Sequence, residues 1–499
     1  MGAAVTDAMT LPSFGHALVC FLGVFLFLGL GLFLFEISIH TIMFFCLLWV
    51  GVNARLTGCN YTEIRAMMSN GIFNALPAIY IFILIGMVIA SFMHSGTIAS
   101  LIYYGVDLID ATLFLAGSFV LCSAMSVATG TSWGTVGTMG VVLIGIGSVV
   151  GVPLPMIAGA VVSGATFGDK LSPISDTTNL AAMSAGTDLY RHIGSMLYTT
   201  APTFVIVLVI FLYLGFGYSE HSLPQAEIAD IKQSLAAGYR LNPAITLLPL
   251  ATLLLLGAWR FAAEVSMVGS ILVAGLIAVV YQNHDVIDVL NALWSNSPGD
   301  VGNESLNALL GRGGILSMAW TLFLSLMALA LGGILHEAGF LKALLLAAIV
   351  RIKRVGSLVA ATIASGFIGN MGMGEAYISI ILNCQLFSGA YEEKGLDKAL
   401  LSRSVEEGST LTTGIIPWTT AGAFYAATLG VPVLDYAPYA FLNFLNPVVS
   451  IVMAFLGIGL LQSWKPDSRR VATKDRRADA QTTGVVSQDP DGERVADDG

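Results

Sequence analysis

The chain of 499 residues is 56% hydrophobic and only 11% charged. A soluble domain needs roughly 25% charged residues to cover its surface, so most of this surface is expected to face lipid. A large soluble helical enzyme is excluded because the apolar runs carry no polar face. The net charge of −10 falls largely in loops and the tail, and no basic patch interleaved with aromatics points to nucleic acid.

No Lys or Arg precedes the first apolar run, so Ala17–Phe35 reads as a first transmembrane helix and not as a cleavable leader. A second run follows Glu36 and His40. Arg55–Asn74 then reads as a short amphipathic connection that closes an N-terminal unit, residues 1–74. A first transport block spans 75–218. Ser219–Asn242 is polar and expected to be an aqueous loop. Two linking spans, Pro243–Trp259 and Val265–Tyr281, and a second polar loop, Gln282–Arg312, complete the stretch 219–312. The second transport block covers 313–463. Residues 464–499 are too polar to fold alone and are expected to be disordered. Because Lys465, Arg469, Arg470, Lys474, Arg476 and Arg477 follow the last apolar run directly, the positive-inside rule places the C-terminus in the cytoplasm. Measured against the roughly 20 residues that a bilayer core requires, the runs amount to about 11 to 13 membrane segments, some of them half-helices.

Five cysteines are scattered with no C-x-x-C pair, so neither a disulfide framework nor a zinc site is expected. No cofactor is implied.

The two blocks resemble each other. FMHSGTIASLI from Phe92 is echoed by ILHEAGFLKAL from Ile334, pairing His94 with His336. ATGTSWG (Ala128–Gly134) is echoed by NMGMGEA (Asn370–Ala376), and GDKLSPISDTTN from Gly168 by EEGSTLTTGIIPWTT from Glu406, pairing Asp169 with Glu407. Duplicated halves interrupted at corresponding places are a mark of secondary transporters.

Within the first block, Gly164–Asn179 (GATFGDKLSPISDTTN) sets Asp169, Lys170 and Asp176 between apolar segments. A charge near the bilayer centre costs several kcal/mol unless it meets a cavity, a partner or an ion. Gly164, Gly168 and Pro173 are expected to break the helix and free backbone carbonyls. With Ser172, Thr177 and Asn179 these groups make an oxygen-rich concavity, and oxygen is what a hard cation such as sodium prefers. Asp169, Ser172, Asp176 and Asn179 are the expected ion ligands. In the second block Glu375 and Glu407 are the counterparts, and the glycines of GNMGMG suggest a re-entrant tip. Glu406 alternatively caps a helix at an interface. Gly130–Gly134 is a literal G-x-S-x-G, but no strand precedes it, so packing or a ligand role for Thr131 and Ser132 is expected in place of a catalytic serine. His94 and His336 are read either as proton relays or as helix-end residues.

GATFGDKLSPISDTTNLAA from Gly164, DLYRHIGSMLYTTAP from Asp188, NALPAIYIFILIGMVI from Asn74 and GTSWGTVGTMGVVLIGIG from Gly130 resemble the NhaC-type sodium/proton antiporters over about residues 60–460. The resemblance implies an all-α polytopic membrane protein. Its two inverted structural repeats would carry discontinuous helices and re-entrant hairpins. It carries site roles onto Thr131, Ser132, Asp169, Ser172, Asp176, Thr177 and Asn179. The expected function is exchange of sodium for protons across the cell membrane, with no enzymatic activity. A sodium-coupled carrier of organic acids or amino acids is the alternative, in which Lys170 would hold a carboxylate. The expected partners are sodium, protons and the lipid bilayer, with a homodimer left open and no nucleic acid.

Overall fold

Every regular element among the described residues is helical. The computed structural model describes residues 11–461 apart from 74–75, 106–110, 219–224, 260, 298–306, 308–309 and 350–351. The first block runs through α4 (Leu76–His94), α5 (Thr97–Gly105), α6 (Ala111–Thr129), α7 (Ser132–Thr135), α8 (Val141–Val150), α9 (Leu154–Leu171), α10 (Asp176–Ala185) and α11 (Leu189–Phe216). Ahead of it lie α1 (Phe14–Gly29), α2 (Ile39–Leu56) and α3 (Tyr61–Phe73). The link contains α12 (Gln225–Gly238), α13 (Pro243–Thr246), α14 (Leu248–Ala258), α15 (Ala263–Val280) and α16 (Val286–Trp294). The second block contains α17 (Ala319–Glu337), α18 (Phe340–Ile349), α19 (Val355–Met373), α20 (Ala376–Glu393), α21 (Lys398–Thr413), α22 (Thr420–Leu429), α23 (Val433–Tyr436) and α24 (Phe441–Phe455).

Among these residues six helices are long and apolar enough to cross a membrane, or up to nine if each sharply bent pair is one span. Two shorter apolar helices, Ser132–Gly147 and Glu264–Val280, add to these as the half-length segments expected, and α13–α14 meets α12 at 69°. Large apolar side chains such as Leu22, Phe33, Tyr213, Leu272 and Val452 point outward. Backbone groups closed within helices and an apolar exterior are what a bilayer demands, and the chain is a multi-pass membrane protein.

The polar linking stretches are more ordered than expected of loops. The first contains α12. The second contains α16, whose first turn is capped by Asp285 accepting a hydrogen bond from the Ile287 N–H at 2.8 Å. Glu220, His221 and the tail from residue 462 lie outside the described residues. The expected connection before Asn74 is also more than a connection. Its helix α3 packs on α17 so closely that a Cβ added at Gly71 would sit 2.3 Å from the Leu329 carbonyl oxygen. Gly71→Ala is therefore expected to lower stability by about 1–3 kcal/mol through overpacking, read as a lower thermal midpoint in detergent. An unchanged midpoint would show that the helices are free to part there.

Several helix ends recur at one spacing in the two blocks. Helices α6 and α19 are each 19 residues long and end at Gly130 and Gly374, both at φ +69°, a left-handed conformation that glycine adopts without a steric penalty. Helices α10 and α22 are each 10 residues long, start after the caps Ser175 and Thr419, and end at Gly186 and Gly430. One spacing of 244 residues (130 to 374, 186 to 430) relates all of them. The same spacing separates Thr131 from Glu375, Asp176 from Thr420, and Asp169 from Thr413. His94 and His336 fall at corresponding ends of α4 and α17.

The break in the first block also differs from expectation. Gly164 and Gly168 do not interrupt α9. They let it press against α6, where an added Cβ would lie 2.4 Å from the Phe119 oxygen and 2.5 Å from the Ser123 oxygen. The helix stops only at Leu171, before Ser172–Ser175, where Pro173 sits.

Candidate functional site

Helix breaks from both blocks converge on one cavity of about 490 Å³. Of the residues picked out in the sequence, Thr131, Ser132, Asp169, Asp176, Thr177 and Glu375 line it. Thr131 caps α7 by accepting from the Gly134 N–H at 3.2 Å, and Ser175 caps α10 through the Thr178 N–H at 3.4 Å. Glu375 caps α20, and Thr419 caps α22. Four helix starts thus face the same region.

Two of its carboxylates are already engaged. Asp176 Oδ1 accepts from the Thr177 N–H at 2.8 Å, and its Oδ2 accepts from the Tyr377 hydroxyl. Glu375 Oε2 accepts from Thr420 Oγ1 at 2.5 Å and Oε1 from the Tyr377 N–H at 3.4 Å. Both sit at helix N-termini, whose partial positive charge stabilises a carboxylate without further help.

Asp169 is different. It lies near the C-terminal end of α9, where the helix dipole favours a cation. Ser132 Oγ donates to its Oδ2 at 3.0 Å, while Oδ1 is buried with no hydrogen-bond partner among the described residues. The hydroxyls of Thr410 and Thr413, also on the cavity wall, are likewise unpartnered. Buried oxygens of this kind can take a water, a proton or a hard cation.

Lys170 does not answer it. Its ammonium is fully buried, 3.2 Å from Glu406 Oε1 and 3.9 Å from Asp169 Oδ2, and it is not on the cavity wall. Glu406 is in turn 2.6 Å from His192 Nε2, and His192 Nδ1 is 2.6 Å from Ser402 Oγ. Thr178 Oγ1 ties the groups together, 3.0 Å from the Asp169 carbonyl and 3.3 Å from Glu406 Oε1. Glu406 is thus a fully buried ion-pair partner in the middle of α21 and not an interfacial cap.

Three expected site residues stand apart from the cavity. Ser172 Oγ donates to the Val127 carbonyl at 2.8 Å, and Asn179 donates to the carbonyls of Pro173 at 3.0 Å and Ser175 at 2.6 Å, so both tie down the break itself. Glu407 is buried between α21, α11 and α24, accepting from Thr199 at 2.5 Å and Asn446 at 3.2 Å. Of the four expected ion ligands, only Asp169 and Asp176 reach the common space, and no group of three or more His, Cys, Asp or Glu able to hold a metal ion occurs among the described residues. Ser132 of the G-x-S-x-G stretch donates its hydroxyl to Asp169 Oδ2. Tyr377, Thr420 and His192 were not singled out in the sequence. Thr420 lies at the same 244-residue spacing from Asp176 as Gly374 from Gly130.

A family model described as "Na+/H+ antiporter family" matches residues 2–193 and 164–458. The chain is 36% identical over 431 residues to the Na(+)/H(+) antiporter NhaC of Alkalihalophilus pseudofirmus, covering 86% of this chain and 93% of that one. It is 34% identical to the malate-2H(+)/Na(+)-lactate antiporter of Bacillus subtilis, covering 88% and 94%. It is also 34% identical to the Na(+)/H(+) antiporter NhaC of the same organism, covering 85% and 94%.

Proposed function

The chain belongs to the Na+/H+ antiporter family, and from that premise we propose that it exchanges sodium for protons across the cell membrane, with Asp169 as the group both ions share. The observation that carries this reading is the free, buried Oδ1 of Asp169 on a cavity whose described lining holds carboxylates and hydroxyls but no basic side chain. Desolvation disfavours a bare carboxylate anion. Either a proton or a sodium ion relieves it, so the two compete for the same oxygens. Asp176, Glu375, Thr131, Ser132 and Thr177 complete the polar wall. Ser172 and Asn179 act through the shape of the break, and Glu407 forms a separate polar contact behind it.

The family reading brings inverted repeats, and several contacts support them. In the first block the start of α6 meets the end of α11, with Gly215 against the Thr112 carbonyl. In the second the start of α19 meets the end of α24, with Gly356 against Phe455. The N-terminal part of α11 packs beside the end of the second block, with Tyr198 near Gly459. The two blocks then run in opposite senses, and Gly130–Thr131 and Gly374–Glu375 are the tips of two hairpins meeting from opposite sides. The basic cluster Lys465–Arg477 supports a cytoplasmic C-terminus by the positive-inside rule.

A sodium-coupled organic-acid carrier is the second reading, favoured by the malate/lactate relative. It needs a basic group to receive the carboxylate, and Lys170 is enclosed with Glu406. In proteoliposomes carrying an internal pH dye, sodium alone is expected to move protons. The apparent KM for sodium is expected to rise as the pH falls, because protons then occupy Asp169. A requirement for malate or lactate, or a KM independent of pH, would overturn the reading.

A further inference from the structure

A separate cavity of about 340 Å³ lies at the end of α22 remote from Thr420. The end of α4, the residues after α16, the turn ahead of α17 and the end of α22 enclose it. The cation in its wall is Arg312. Arg312 Nη1 donates to the Leu429 carbonyl at 3.1 Å, and a Cβ added at Gly430 would sit 2.7 Å from the guanidinium carbon. The charge is thereby held at the C-terminus of α22, where the helix dipole favours it. That bond uses one of five N–H donors. Among the described residues no carboxylate lies within ion-pair distance of Arg312. The hydroxyl of Thr428 lines the same cavity, is buried and has no hydrogen-bond partner among the described residues.

The loop that carries Arg312 is fixed in place. Asn296 Nδ2 donates to the carbonyls of Leu310 at 2.9 Å and Arg312 at 2.7 Å, and the Gly314 N–H donates to the Gly86 carbonyl at 2.7 Å. A guanidinium withdrawn from water with its donors unpaired is costly, so a preformed seat of this kind suits an anion.

The surroundings say which anion. Helix α16 turns Val289 and Ala292 inward, while Val286, Ile287, Leu290 and Trp294 are exposed. At about 100° per residue these four fall in one arc of the helix. An exposed apolar arc that ends in tryptophan is the mark of a helix lying in the membrane interface. Ser295, the residue after Trp294, lines the cavity. Leu316, also in its wall, is 50% exposed, and Trp320 one turn further is 54% exposed. Arg312 thus sits at the depth of lipid headgroups, with apolar surface beside it for acyl chains.

We propose that this cavity seats the headgroup of an anionic phospholipid, its phosphodiester on Arg312, an uncharged headgroup hydroxyl on Thr428 and its chains along Leu316 and Trp320. A guanidinium matches the paired oxygens of a phosphate. A zwitterionic headgroup would bring a second cation beside Arg312 without an acid to receive it. The inference stands on the membrane architecture and is independent of which ions are exchanged.

The test is native mass spectrometry of the purified full chain, titrated with phosphatidylglycerol or phosphatidylcholine of the same acyl chains. The first phosphatidylglycerol is expected to bind about tenfold more tightly, the low end for a contact to a charged group. Arg312→Gln is expected to bring the two lipids to within about twofold of each other. Because Arg312 also holds the end of α22, Leu316→Glu provides the second variant. It changes a half-exposed position and sets a carboxylate beside the guanidinium, and it is expected to erase the preference in a protein that still folds. No preference in wild type, or a preference that survives in either variant, would overturn the inference. Thermal stabilisation by millimolar inorganic phosphate equal to that by phosphatidylglycerol would show a seat for free oxyanions and overturn the lipid assignment.

Discussion

Asp169→Asn is expected to reduce sodium-dependent proton movement to the level of empty vesicles. The amide keeps the shape of the side chain, and its oxygen can still accept from Ser132 Oγ, now 3.0 Å from the carboxylate. It loses the negative charge that attracts sodium and the site that takes up a proton, so both halves of the exchange fail together. Contacts to a charged group are worth about 1.5–3 kcal/mol each, so sodium affinity alone is expected to fall about 10- to 150-fold. Asp176→Asn and Glu375→Gln are expected to be milder, since these carboxylates already have Tyr377 and Thr420 as partners. The comparison is made by sodium titration of all three variants, with folded protein verified by gel filtration. Wild-type exchange in Asp169→Asn, or a steeper loss in Asp176→Asn, would move the shared site elsewhere.

What could be read from the sequence is what lipid forbids. Asp169 and Asp176 stand out because apolar flanks leave a charge nowhere inexpensive to go, and both line the cavity. The helical membrane architecture follows from the same scarcity of charge. What could not be read is where each oxygen points. Ser172 and Asn179 have the right chemistry for an ion, but Asn179 bonds the local backbone, as short polar side chains next to a helix break tend to, and Ser172 is taken up by the Val127 carbonyl of α6. The similar motifs of the two blocks were visible while the spacing of their helix ends was not. Sliding one polar stretch past another by several residues leaves composition similar, whereas helix ends set by Gly130 and Gly374 admit one alignment. That alignment shows a trade between halves: Thr131 and Asp176 in the first block face Glu375 and Thr420 in the second, so the acid and the threonine exchange places. Tyr377 escaped notice because its role is tertiary, bonding Asp176 from the other block.

Lys170 decides whether Asp169 is available, and Glu406 decides where Lys170 goes. The ammonium is 3.2 Å from Glu406 and 3.9 Å from Asp169, with all three groups buried. Removing the charge of Glu406 leaves Asp169 as the nearest anion, and Lys170 would then act as a tethered rival of sodium. Glu406→Gln is accordingly expected to raise the apparent KM for sodium more than about tenfold and to destabilise the fold by about 3–5 kcal/mol, the usual penalty for leaving one buried charge alone. The double variant Glu406→Gln/Lys170→Met removes the rival and its partner together, which in buried pairs is often close to neutral. It is expected to regain most of the lost sodium affinity and thermal stability. Rescue of stability without affinity would mean that Glu406 contributes to the site by some route other than restraining Lys170. No rescue of either would show that the Lys170–Glu406–His192 cluster is required as a whole. Restored affinity would identify the 3.2 Å contact as what keeps the cavity's free carboxylate open to sodium.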